Sequence, residues 1–169
     1  MAQYHPFLRP FRPEDEAKML EILINASIRK TYMLPDYPAK EDAIPLFRRL
    51  LELSMNPSHY VRCIAVDEAP IGFLNNVEID GTRIEVGYVI HPDHQNRGYM
   101  TAALRLAMEE LASLGFEEIL AGAFQENTAS IRVMEKCAMT KTDKTETIIY
   151  RGLTHNCVYY TRILNEDNI

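Results

Sequence analysis

The chain has 169 residues, 47% hydrophobic and 25% charged, enough for one complete core, so we expect a single folded domain over 1–169 without long disorder. A formal net charge of −6 repels phosphate backbones and anionic lipid surfaces, which argues against nucleic acid or a membrane as the main partner. Met1–Pro10 has no apolar run of signal-peptide length, no segment reaches the roughly 18 apolar residues of a membrane span, and Cys63, Cys137 and Cys157 are spaced for neither a disulfide framework nor a paired zinc site. The expectation is a cytoplasmic protein with reduced, buried thiols.

Pro13 followed by Glu14, Asp15 and Glu16 opens a first helix, with proline in the first turn, acids at the positive dipole end and Leu20, Leu23 and Ile24 as its buried stripe. A second helix spans about Lys40–Ser54, carrying Ile44, Phe47, Leu50 and Leu51 at helical spacing and stopped by Asn56-Pro57. Thr31–Pro38 between them is a loop. Tyr60–Val66, Ile71–Ile79 and Arg83–Ile90 read as an antiparallel meander of strands, broken at Glu68-Ala69-Pro70 and at the turn pair Asp80-Gly81. A helix from about Met100 to Leu114, with Leu104, Ala107, Met108 and Leu111 on one side and Gly115 as its stop, leads to a short strand over Glu118–Ala123. Thr128–Cys137 is a further helix, and strands over about Thr145–Tyr150 and Asn156–Leu164 close the chain around Gly152. The order predicts an α/β fold with a mixed, mostly antiparallel sheet flanked by helices, not the alternating βα units of a dinucleotide-binding fold.

The most informative segment joins the Arg83–Ile90 strand to the following helix through His91-Pro92-Asp93-His94 and Gln95-Asn96-Arg97-Gly98-Tyr99-Met100. Backbone N–H groups entering a helix lack internal partners and point outward with the positive dipole end, so such a turn suits a pyrophosphate. Gly98 permits unusual backbone angles and close approach of an anion, and Arg97 adds a full positive charge. Taken alone, the pattern also describes an ordinary tight strand-to-helix turn. It matches neither G-x-G-x-x-G nor G-x-x-x-x-G-K-[ST], which disfavours mononucleotide and dinucleotide cofactors.

Gln95–Met100, behind the strand Ile84-Glu85-Val86-Gly87-Tyr88-Val89-Ile90, resembles the Q/R-x-x-G-x-G/A acetyl-CoA motif of the GNAT superfamily of N-acetyltransferases. Gly87-Tyr88, Gly98-Tyr99-Met100-Thr101, and Asn127 to Ser130 followed by Glu135-Lys136 resemble its RimJ/RimL-like branch, as do Leu8-Arg9-Pro10 and Ile71-Gly72. The likeness covers nearly the whole chain. It departs at Met100, where a small residue is usual, and at Ala138-Met139, where Gly-Phe is common and whose local turn is thereby in question. It departs again at Met134, where many relatives outside the branch carry a tyrosine that protonates the departing thiolate. A tyrosine acid at that position is excluded.

The resemblance implies acetyl-CoA as co-substrate, held by Gln95, Asn96, Arg97, Gly98, Tyr99 and Met100. It also implies that the strand carrying Tyr88–Ile90 splays from Glu118–Ala123, so that pantetheine docks on the backbone near Val89 and Ile90, where an N–H group also stabilises the oxyanion. Glu85 matches the position of a carboxylate base in several such enzymes, its plainer alternative being a solvated strand carboxylate. Asn127 reads as a helix N-cap to which the resemblance adds a pantetheine contact, and Ser130 either donates to the cofactor sulfur or carbonyl or simply faces helix packing. His91, Asp93 and His94 lack further ligands at metal spacing and read as solvated loop residues, so no metal is expected. Cys137 as a nucleophile is not expected, because the family transfers directly, and one of Tyr159 and Tyr160 is a candidate to line the acceptor site.

The implied reaction is transfer of an acetyl group to a primary amine, either a protein N-terminal amine or a small molecule such as a polyamine or aminoglycoside. The first two helices, the Thr31–Pro38 loop and the last hairpin set acceptor identity without a transferable code. A non-catalytic acyl-CoA-binding or sensor module with the same fold is the alternative, and a structural protein without cofactor is a third reading. A homodimer is left open.

Overall fold

Strand alternation and turn chemistry account for most of the backbone of the computed structural model, which describes residues 4–164. Among the described residues, seven strands form one sheet: β1 (Phe7–Arg9), β2 (Val61–Val66), β3 (Ala69–Asp80), β4 (Arg83–Ile90), β5 (Glu118–Phe124), β6 (Thr140–Tyr150) and β7 (Leu153–Ile163), in the order β1-β2-β3-β4-β5-β7-β6. Four α-helices accompany them among the same residues: α1 (Glu16–Leu23), α2 (Ile44–Ser54), α3 (Tyr99–Ser113) and α4 (Thr128–Lys136). The β1–β2, β2–β3, β5–β7 and β6–β7 ladders are antiparallel, whereas β4 and β5, joined through the helix α3, run parallel. This is the mixed, mostly antiparallel sheet flanked by helices that the element order predicts.

The chain divides into two compact units. The first takes the chain up to Asn76 together with Tyr88–Ala103; the second takes Val77–Gly87 and the chain from Leu104 on.

In the first unit, Met19 and Leu23 of α1, Phe47 and Leu50 of α2, and Phe73 and Val89 of the strands belong to one buried cluster. A 3-10 turn over Pro13–Asp15 opens α1, as the proline and acids predict. Asp15 is buried and accepts two 2.8 Å hydrogen bonds from the Arg9 guanidinium and one from the Arg12 N–H. Burial pushes its carboxyl up, and these bonds overcome that and hold it below the usual carboxylate range. Removing one partner from such a pair costs about 3–5 kcal/mol. Arg9 also donates to the Glu68 carbonyl (2.9 Å), and Arg12 pairs with the Glu68 carboxylate (2.8 Å).

These contacts explain a difference from the sequence reading, which places the β2–β3 break at Glu68-Ala69-Pro70. The turn is Asp67-Glu68, both left-handed at φ +51° and +66°, a geometry that matches strand twist in a two-residue hairpin. Ala69 and Pro70 already belong to β3, and Pro70 pairs where the register shifts beside Ile64, at a bulge that tolerates its missing N–H. Arg9 and Arg12 act on Glu68 across more than fifty residues, which no local pattern reveals. The three-residue β1 is likewise too short for periodicity to show. Cys63 on β2 is fully buried, and burial pushes its thiol up to about 12. All three cysteines are free and buried, as expected.

In the second unit, Leu104, Ala107, Met108 and Leu111 form the buried stripe of α3, and Gly115 ends the helix. Tyr160 and Arg162 of β7 reach the helices: Tyr160 bonds Glu135 (3.4 Å), and Arg162 bonds the Cys137 carbonyl (3.0 Å). The opposite face of β7 carries Cys157 and Tyr159, which cluster with Leu120 and Phe124 of β5. Strand alternation thus sends the two adjacent tyrosines to opposite faces.

The strand β6 begins at Thr140, five residues before the sequence reading starts it, and a register shift between Lys141 and Thr145 interrupts its pairing with β7. At the end of α4, Ala138 takes the left-handed conformation (φ +57°), with Ala138 N–H bonded to Glu135 O (3.0 Å) and Met139 N–H to Met134 O (3.1 Å). This is a Schellman cap that glycine usually makes, here closed by alanine over the buried pair Met134 and Met139.

Candidate active site

The turn between β4 and α3 lies in the first unit. The His91 ring accepts the Asp93 N–H (3.2 Å), which caps a 3-10 turn over Pro92–His94 and gives that histidine a structural task. Gln95 returns to extended backbone and its amide donates to the Ile90 carbonyl (3.2 Å), which ties the turn to the end of β4. Asn96 and Gly98 are both left-handed, at φ +59° and +76°. A Cβ on Gly98 would meet nothing within 4 Å, so backbone angle, not space, calls for glycine there.

Helix α3 makes its first turn with Ala102 N–H donating to Gly98 O (3.0 Å), so the N–H groups of Tyr99 and Met100 precede the helix's own bonding. Gln95, Asn96, Arg97 and Gly98 are exposed, Tyr99 is half-buried and Met100 buried. Burial, then the charges of His91 and Arg97, hold His94 below the ordinary imidazole value despite Asp93. An exposed turn of this kind, with the Arg97 guanidinium on it, suits an anion.

Behind the turn, His91 N–H bonds the Ile71 carbonyl (2.8 Å), and a Cβ on Gly72 would lie 2.1 Å from the Val89 carbonyl oxygen. Gly72 therefore lets β3 pass close against the Val89–Ile90 backbone. Among the described residues, no group of three or more His, Cys, Asp or Glu is placed to hold a metal ion.

Glu85, Asn127 and Ser130 lie in the second unit. The Glu85 side chain is 14% exposed, with the Lys144 ammonium 3.9 Å away. Burial raises its pKa above the ordinary carboxylate value, Glu78 and Glu146 add to the rise, and Lys144 and Arg83 oppose it. The result is a carboxylate more basic than one in water.

Lys144 also sits 4.1 Å from the centre of the Tyr159 ring, and the Tyr159 hydroxyl donates to Glu146. Burial first, then Glu146 and Glu85, push that phenol up, so it stays protonated as a donor. The ring lies across Gly122 of β5, where a Cβ would stand 2.6 Å from it. At the start of α4, Asn127 accepts the Ser130 N–H (3.2 Å), the capping role its sequence position predicts, and both residues are half-buried.

Residues 7–140 match the sequence model of the acetyltransferase (GNAT) domain. The chain belongs to the GNAT acetyltransferase family. A curated relative, described as the uncharacterized N-acetyltransferase YnaD of Bacillus subtilis (strain 168), is 32% identical over 84 residues, 49% of this chain and 49% of its own length, so the match spans about half of that relative. Among solved structures, a RimL ribosomal L7/L12 alpha-N-protein acetyltransferase in complex with coenzyme A superposes with a TM-score of 0.82 at 17% identity, over 96% of each chain. A spermidine N-acetyltransferase from Vibrio cholerae in complex with CoA and spermine superposes with a TM-score of 0.79 at 16% identity, over 95% of this chain and 96% of the other. At such identities these likenesses establish the fold.

The structure thus gathers Val89, Ile90 and Gln95–Met100 in one unit and Glu85, Asn127 and Ser130 in the other. The sequence reading names Tyr159 and Tyr160 together, and the register assigns only Tyr159 to the Lys144 and Glu146 cluster. Lys144 and Glu146 escape sequence reasoning altogether. Strand alternation sets Lys144 on the face of Glu146, whose partner Cys157 shares a face with Tyr159, but nothing local marks how β6 pairs with β7.

Proposed function

We propose that this GNAT chain is a single-domain, acetyl-CoA-dependent N-acetyltransferase of the RimJ/RimL-like kind that passes the acetyl group directly to a primary amine. The observation that carries the co-substrate is the exposed turn Gln95–Gly98, with its two left-handed residues, its Arg97 and the opening N–H groups of α3. That turn takes the pyrophosphate, Arg97 supplies the countercharge, and Tyr99 and Met100 continue the cradle. The Val89–Ile90 backbone receives the pantetheine arm. In support, the parallel ladder of β4 with β5 is registered over Arg83–Glu85. Asn127, already a cap, and Ser130 contact the same arm, and Ser130 replaces the absent tyrosine as a hydroxyl donor.

Glu85 is the base. A lysine-like amine, with a pKa of about 10.4, and an α-amino group, at about 7.7 to 8.0, must each lose a proton before attacking a thioester. A carboxylate made more basic by burial is better matched to that task than an ordinary one. The acceptor is an amine of a protein N-terminus or of a small cation, the two kinds named for the RimL and spermidine enzymes of the same fold. A cytoplasmic location is part of the proposal, in keeping with three buried free thiols.

Thiol release from acetyl-CoA over a panel of amines, including peptides with free N-termini, tests this reading. The expected result is CoA release that requires an amine and yields its N-acetyl product. Thermal stabilisation by CoA with no transfer to any amine would replace it with the binding or sensor reading. A ligand at 100 times its Kd adds about 2.7 kcal/mol, so no stabilisation at millimolar CoA would remove both.

A further inference from the structure

Lys144 lies in a bulge of β6. The register shift between Lys141 and Thr145 takes this stretch of β6 out of step with β7. Thr142 Oγ1 accepts the Lys144 N–H (3.2 Å) while donating to the Tyr159 carbonyl (3.1 Å), which pins the bulge to β7. A bulge re-aims a side chain, and here the ammonium lands 4.1 Å from the centre of the Tyr159 ring and 3.9 Å from the Glu85 carboxylate. The Tyr159 ring in turn is held by its hydroxyl bond to Glu146 and by the space that Gly122 leaves.

A base that removes a proton from an acceptor amine stands within hydrogen-bond reach of that amine, directly or through one water. If Glu85 is that base, the acceptor nitrogen belongs beside it, and an amine of this chain already stands there. We propose that Lys144 is an internal acceptor of the enzyme, acetylated at Nζ by acetyl-CoA bound to the same molecule. This rests on the reading of Glu85 given above. Lys144 lies on the last hairpin, beyond residues 7–140 that match the family.

The step balances as any transfer of this kind does. Glu85 takes one proton from the Lys144 ammonium, and the neutral Nζ attacks the thioester carbonyl. The carbon–nitrogen bond forms, and the carbon–sulfur bond breaks with its electron pair on sulfur. The second nitrogen proton ends on that sulfur as CoA–SH, while the first leaves Glu85 for water. The product is an amide with no charge. Acetylation therefore removes the cation that now faces the Tyr159 ring and Glu85.

The test incubates the full chain with acetyl-CoA alone and follows each lysine by peptide mass spectrometry. The same is done for Glu85→Gln and for the unaltered chain in the presence of a saturating amine that the transfer assay has shown to be an acceptor. The expected result is acetylation of Lys144 at a first-order rate independent of protein concentration and faster than at Lys18, Lys40 or Lys141. That rate should fall about a hundredfold in Glu85→Gln, within the range for a general base, and fall again when the amine competes. The competition arm needs no variant, so it decides even if Glu85→Gln folds poorly. Lys144 left unmodified by an enzyme that acetylates an external amine overturns this inference and leaves the proposed function standing. Acetylation insensitive to both the competing amine and Glu85→Gln overturns it as well, because it is then solution chemistry. Acetylation of neither Lys144 nor any amine removes the inference together with the reading of the function on which it rests.

Discussion

At the Gln95–Gly98 turn the exposed groups are backbone, held open by two left-handed residues at the start of α3, whereas around Glu85 they are side chains drawn from β3, β4, β6 and β7. The first arrangement needs one contiguous stretch of chain with a glycine at the right place. The second needs three strand registers and a bulge to agree. A backbone site tolerates change in most of its side chains and none in its angles, and a side-chain site does the reverse. Each half of that contrast can be broken separately.

The largest effect is expected from Gly98→Pro. Proline fixes φ near −65°, against the +76° observed, and removes an N–H group. Acetyl-CoA affinity should weaken by at least about a hundredfold, ~2.8 kcal/mol, in a calorimetric titration. Arg97→Ala, which spares the angles, should cost much less, and equal losses would show that the turn works through its side chain.

On the other side, Gly122→Ala drives a Cβ into the Tyr159 ring, whose side chain must move because β5 cannot. The overpacking should cost about 1–3 kcal/mol of stability in denaturant unfolding. In the surviving folded enzyme the KM for the amine should rise several-fold while CoA affinity holds. A change in CoA affinity instead would mean that the Tyr159 cluster serves the cofactor.

A smaller effect separates the charges that face Glu85. With one acceptor held fixed, the rate should climb with pH as Glu85 loses its proton, on a limb above the ordinary carboxylate range because its pKa is raised. Lys144 opposes that rise and Glu146 adds to it, with Arg83 and Glu78 on the same two sides. Lys144→Met should therefore move the limb to higher pH and Glu146→Gln to lower pH. Shifts in one direction for both would show that the limb belongs to another group.

The smallest effect lies outside both regions. Ala138→Gly relieves a left-handed alanine at the end of α4, a strain of roughly 1–2 kcal/mol, less the backbone entropy that glycine loses. Melting temperature should rise by a few degrees with rates and affinities unchanged.

How much of this was legible in sequence follows the same contrast. Helical spacing put Leu104, Ala107, Met108 and Leu111 on the buried side of α3, and each is fully buried. The cap at Asn127 and the turn at Gly98 were legible because both are short-range chemistry. The Asp67-Glu68 turn was not, since the arginines that hold Glu68 come from the far end of the chain. Lys144 and Glu146 were hidden for a related reason: which residues of β7 they face depends on long-range pairing, and β6 carries two extra residues between Lys141 and Thr145 that nothing local marks. Ala138 shows the limit of residue type itself, because the turn expected of glycine forms regardless, at a cost in backbone energy.

In the proposed function, cofactor binding and proton removal are carried by these two regions separately. The most direct test measures the acetyl-CoA Kd and the maximal rate of amine acetylation in one preparation of Glu85→Gln, near neutral pH. The expected result is a Kd close to that of the unaltered enzyme and a rate lower by about 10² to 10⁴, partly recovered as pH rises. An unchanged rate with the true acceptor, or a Kd that rises as the rate falls, would contradict it.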